Sequence, residues 1–244
     1  MDYSDFHRQF QKLAPKKKNP LIDRIIPVDK GGQNLDIRIP VIKNFVRQFH
    51  RENNLPFKAA VALANDCFKG KITEEVAFGI ELVARHKESR SVEFFPRAER
   101  WIKFLTNWEN CDRLCGQILG KILRENQVLI KEIKKWADDK SPWKRRCAVV
   151  SFIPALAQEG RSGQYKKSKF IKPCLEICLK LGQDPAPYVQ KAIGWPVREI
   201  TKWGGEKITF AWLKKNKNNL TSFVFHSSLE KFPKKTKMEL KSLK

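Results

Sequence analysis

The sequence holds no apolar run approaching the roughly 18 residues that mark a bilayer-spanning helix, which argues against a membrane span. Its opening stretch, MDYSDFHRQF, has no apolar core and begins with acids, which argues against a secretory signal. Cysteine is scarce, with six among 244 residues, at positions 67, 111, 115, 147, 174 and 178. None falls in a CxxC pair, and the four histidines stand singly. A disulfide framework is therefore not expected, nor is a structural zinc, and a reducing compartment is the expected setting. Also missing are a GxSxG elbow, a paired cysteine–histidine signature and a Walker loop, so covalent hydrolysis by Ser or Cys has no support. Strict polar–apolar alternation is scarce as well, and strands are not expected.

Negative charge is the remaining shortage. There are 26 acids against 49 Lys and Arg, a formal net charge of +23. Such an excess points to a polyanion, with nucleic acid ahead of an anionic membrane. With 41% hydrophobic and 31% charged residues, the chain can still build a core, so global disorder is excluded.

What is present is helical periodicity. VIKNFVRQF, EEVAFGIELVARH, WIKFLTNW, LCGQILGKIL, KFIKPCLEICLKL and YVQKAIGW all space apolar residues by three and four. Pro40, Pro56, Thr73 and Ser91 are candidate first-turn or capping residues. Ser141-Pro142 has the preferred order of a cap followed by Pro, and Pro187 resembles it after a turn. The first four starts lie 16, 17 and 18 residues apart. A helix about every 17 residues makes a pair of about 35, within the range of HEAT-like repeats. The expected architecture is all-α: one curved α-solenoid of HEAT-like helical repeats over residues 1–232, then a frayed basic tail over 233–244. Gly31-Gly32 in the early loop reads as a turn.

Tryptophans beside charges are the candidate functional features. Trp108 precedes Asp112 by four residues, one helical turn, so on a helix the two share a face. Trp143 precedes Arg146 by three in SPWKRRCAVV, with Arg145 adjacent. Trp195 follows Lys191 by four and precedes Arg198 by three in YVQKAIGWPVREI. Singly, such indoles read as core; as a set, aromatic faces among cations suit a nucleic-acid groove. The carboxylate is the odd member, since an acid opposes phosphate binding. Cleavage of an N-glycosidic bond gives it a use, because positive charge develops on the sugar. A carboxylate stabilises that oxocarbenium-like state and can orient the attacking water. Aromatic faces stabilise the same cation, and a second tryptophan opposite would complete a cation-stabilising cleft.

NWENCD, SPWKRRCAVV and YVQKAIGWPVRE resemble three motifs of the AlkD-type DNA alkylation repair family, alkylpurine DNA glycosylases built from HEAT-like repeats. The resemblance runs from about residue 36 to about residue 232. It implies that Asp112 stabilises the sugar cation and that Trp108 and Trp195 flank the lesion's deoxyribose. It implies that Arg146 grips the DNA backbone and that Tyr188 stands on the same wall. Through LDIRIPVIKNF it implies that Arg38 contacts phosphate. Asp36 stands where the family commonly has glycine, and Arg38 where it has a smaller polar residue. Pro196 follows Trp195 and is expected to kink that helix. The implied substrate is duplex DNA carrying purines alkylated at N3 or N7. Such bases are already cationic and leave readily, so one acid suffices and the base can stay in the duplex.

The expectations are thus a glycosylase with Asp112, Trp108 and Trp195 at the reacting sugar. Arg146, Trp143, Arg145, Arg38, Lys191, Arg198 and Tyr188 are expected on DNA. No metal, cofactor or membrane is expected, and the setting is a monomer in the bacterial cytoplasm or nucleoid. The competing reading is a non-catalytic basic α-solenoid that binds DNA or RNA as a scaffold; it has no use for Asp112 beside Trp108.

Overall fold

Proline and small polar residues stand at or beside the helix starts, and a proline in the first turn gives up an amide that turn cannot pair. Pro40 lies in the first turn of Ile39–Asn53, and Pro56 is the N-cap of Phe57–Gly70. Thr73 opens Thr73–Val83, and Ser91 precedes the short turn leading into Phe95–Trp101. Ser141 stands at the N-cap position of Pro142–Val150 without a side-chain capping bond, and Pro187 opens Pro187–Ile200. The computed structural model describes residues 2–29 and 31–242. Among them the fold is all-α; an isolated bridge joins Gln33 and Ile72, and no strand forms. Backbone contacts group the chain into two units, 1–122 and 123–244.

In the first unit, Ile39–Asn53 packs on Thr73–Val83, which packs in turn on Trp108–Leu114. Those starts lie 34 and 35 residues apart, the helical-pair period read from the sequence. Phe57–Gly70 is the pair partner of Thr73–Val83. Gly79 permits their close approach, since a Cβ there would sit 3.1 Å from the Ala64 Cα. The N-terminal helix Tyr3–Gln11 adds the fully buried Phe6 and Phe10 to an aromatic cluster. Phe6 stacks on Phe78 with ring centroids 4.4 Å apart, and Phe45 and Phe49 close the cluster. The same helix sends the Tyr3 hydroxyl and the His7 imidazole to the buried Glu75 carboxylate, at 2.7 and 2.6 Å.

In the second unit, Pro142–Val150 packs on Pro187–Ile200, which packs on Ser222–Ser228. The first step is longer, 45 residues, because Ile153–Arg161, a turn and Ile171–Lys180 intervene; the second is 35. Pro187–Ile200 runs through Pro196, and a wide π-helical turn, Thr201–Gly205, follows it. Inside that turn Gly204 takes φ 95°, a conformation open to glycine. The expected frayed tail is corrected: Lys234–Lys241 is a helix with Leu240 buried and the Thr236 hydroxyl bonded to Glu206 at 2.9 Å. A single apolar residue among lysines was enough to dock it, a signal that the charge run hides. Leu243 and Lys244 lie outside the described residues.

Phe78→Ala removes the ring that the N-terminal helix stacks on. It should cost about 3–5 kcal/mol, read as a melting temperature lowered by about 10 °C.

Candidate functional site

The indole–carboxylate turn begins at Asn107. Its side chain is fully buried and accepts a hydrogen bond from the Asn110 amide at 2.9 Å, capping Trp108–Leu114. The other end of the Asn107 side chain donates to the Thr73 hydroxyl at 3.0 Å, and Asn110 donates to the Thr73 carbonyl at 3.0 Å. Two asparagines thereby tie the start of this helix to the start of its neighbour. Trp108 is the first helical residue, half-buried, with its indole N–H donated to the Ile25 carbonyl at 3.2 Å. With that donor engaged, what the indole offers is its ring. Asp112 is half-buried one turn on. The helix's other acid, Glu109, is bonded to Arg113 at 2.7 Å, and Arg113 also reaches Glu81 at 2.8 Å. Glu109 is thus neutralised by its own helix.

The early loop is positioned by a residue that sequence reasoning missed. Glu74, 5% exposed, accepts the Leu35 amide at 2.9 Å and the Ile37 amide at 3.3 Å. Burial raises its pKa, and the loop amides act against that rise. Between those amides Asp36 takes φ 63°, the left-handed region that explains a preference for glycine there. Aspartate tolerates it, and its carboxylate accepts the Asn19 amide at 2.6 Å. Arg38 follows, exposed at the N-cap of Ile39–Asn53. Loop, Trp108 and Glu74 border a cavity of about 400 Å³ within the first unit. The available signal was an acid pair, Glu74-Glu75, placed in the first turn of a largely apolar helix.

In the second unit, Tyr188, Lys191, Trp195 and Arg198 recur at spacings of three, four and three along Pro187–Ile200, one face of that helix. Lys191 lies over the Tyr188 ring, 5.0 Å from its centroid. Trp195 is half-buried and Lys191 exposed. Arg198 donates to the Ser227 carbonyl at 3.0 Å and faces Glu230 at 3.3 Å. Pro142–Val150 packs alongside and brings Trp143, whose ring lies 5.7 Å from that of Tyr188. At 3% exposure Trp143 has no open face for stacking; it is the wall behind Tyr188. Arg146, 5% exposed, donates to the Tyr188 carbonyl and is held in place by that bond. Arg145 turns away from the expected role. It grips Asp184 through two nitrogens, at 2.6 and 3.1 Å, and donates to the carbonyls of Asp139 and Lys140, both at 2.9 Å. That geometry is an internal brace.

A profile of the DNA alkylation repair enzyme family matches residues 6–232, nearly the whole chain. The chain belongs to the DNA alkylation repair enzyme family. Membership supports an enzyme's role in DNA repair, with DNA as the partner. A predicted DNA alkylation repair enzyme from Enterococcus faecalis shares the fold, with a TM-score of 0.69 and 15% identity over 91% of this chain and 99% of that chain. No curated protein matches the chain. Among the described residues of this family member, no helix is long and apolar enough to cross a membrane.

Arg145→Ala removes the cation held against the buried Asp184, whose carboxylate keeps the Ala186 amide as a donor at 2.8 Å. Its expected cost is about 3 kcal/mol of stability in urea or thermal unfolding, with the salt dependence of DNA binding unchanged. A shallower salt dependence at full stability would make Arg145 a phosphate contact instead.

Proposed function

We propose that this member of the family is a DNA glycosylase that hydrolyses the N-glycosidic bond of purines alkylated at N3 or N7 in duplex DNA. The observation that carries the reading is the Trp108–Asp112 turn. An indole and a carboxylate share a helix face, and the helix start is capped by a buried asparagine. In a protein of net charge +23, a half-buried acid beside an aromatic ring suits a cation that forms during reaction better than it suits DNA binding.

In this mechanism the alkylated purine leaves as a neutral base, because alkylation has already made it cationic. The deoxyribose takes on positive charge as the bond lengthens. Asp112 stabilises that charge and orients the water that attacks the sugar. Trp108, one turn before Asp112 on the same helix, supplies a ring face to the same cation. No second acid is needed, so extrusion of the base into a protein pocket is not required. Phosphates are held by the exposed Arg38 and Lys191 and by Arg198, while the buried Arg146 braces the backbone at Tyr188; Tyr188 supports Lys191 and packs on Trp143. The division of labour separates cations that position the backbone from one acid that acts on the sugar.

Duplex DNA treated with a methylating agent is the direct test. Incubation with the protein should release free 3-methyladenine or 7-methylguanine, leaving abasic sites in equal number. A protein that retains the DNA but releases no base would be a scaffold, and the glycosylase reading would fail.

A further inference from the structure

The family match ends at residue 232, yet the chain continues into an ordered basic helix. Lys234–Lys241 docks through Leu240 and through the bond from Thr236 to Glu206. Lys234, Lys237 and Lys241 then recur at spacings of three and four, which places them on one face. Lys237 and Lys241 line an open groove of about 650 Å³ together with Arg198 and His226. Arg198 belongs to the face of Pro187–Ile200 that also carries Lys191 and Trp195, so the groove continues that face within the second unit.

One acid, Glu230, stands in the groove. Its carboxyl is held below the usual range, first by a hydrogen bond from Lys231 and further by the neighbouring charges of Lys231, Arg198 and Lys237. The cations there outnumber the acid and converge on an opening. Met238 on the same helix is exposed at 64%, an apolar residue that no packing explains.

We propose that this groove is an additional footing for the phosphate backbone of duplex DNA, built by a C-terminal helix beyond the family's matched segment. The inference rests on the reading that Pro187–Ile200 faces DNA. Spaced cations along a groove suit a line of phosphates, because each neutralised phosphate releases condensed counterions. A compact anion would be met by fewer of these side chains than a strand of backbone. The footing strengthens binding irrespective of sequence and of the lesion, since phosphate contacts carry no base information.

The test is binding to an undamaged duplex of about three helical turns, at several salt concentrations, for the wild type and for the Lys237→Gln/Lys241→Gln variant. Both side chains lie outside the core, and the variant loses an exposed bond from Lys237 to the Glu230 carbonyl at 3.2 Å, so the melting temperature should move by a few degrees at most. Loss of two phosphate contacts should make the plot of log affinity against log salt shallower by about 1.8. The affinity gap between the two proteins should then narrow by about tenfold between about 50 and 200 mM salt. If the wild type is salt-dependent and the variant has the same slope, the groove is not a DNA footing. If the wild type itself binds without salt dependence, it is the DNA-facing reading of Pro187–Ile200 that fails. Lys234→Gln on the same helix is a further arm: a smaller change in slope is expected, and slopes equal to wild type for all three lysines overturn the proposal.

Discussion

The start of one helix is tied to the start of the next through two buried asparagines, and the candidate site depends on that joint. Asn107 caps Trp108–Leu114 with its carbonyl oxygen and holds Thr73 with its amide, while Asn110 holds the Thr73 carbonyl. A buried side chain with a capping acceptor and a donor both satisfied has little freedom left. Trp108 therefore enters the helix at a fixed angle, and Asp112 follows one turn later on the same face. Thr73 also opens the helix that carries Glu74, the carboxylate that gathers the early loop. One polar joint thus positions the indole, the acid and, through Glu74, the loop that ends at Arg38.

The charges follow a consistent division. Cations that would meet phosphate are exposed or held at an edge: Arg38, Lys191, Arg198 and the lysines of the last helix. Those with an internal task are paired, as Arg145 is with Asp184 and Arg113 with Glu81 and Glu109. Internal pairing of the acids leaves the electropositive excess for the surface, where it raises the local concentration of DNA.

Helix starts and the 35-residue period were legible in the sequence because both are local properties. Pro40, Pro56, Thr73, Ser91, Ser141 and Pro187 act within one turn of themselves, and each stands at or beside a helix start. The spacing along Pro187–Ile200 was legible for the same reason. What could not be read depends on partners distant in the chain. Arg145 and Asp184 are 39 residues apart, so nothing near Arg145 marks it as a brace. Trp143 reads as a possible stacking face until Tyr188 covers it. The N-terminal helix shows two phenylalanines, and only the fold places them on Phe78. Lysine density in the last segment resembles a frayed tail, and its docking turns on Leu240.

The central claim is that Asp112 stabilises charge that exists only while the glycosidic bond breaks. Asp112→Asn keeps the shape of the side chain and removes its charge. Single-turnover excision from alkylated duplex DNA, measured on one preparation with melting temperature and DNA affinity, separates the possible roles. The account predicts a roughly tenfold to thousandfold slower excision, with stability retained and DNA affinity equal or higher. A stable, DNA-binding Asp112→Asn protein that excises at the wild-type rate would contradict it.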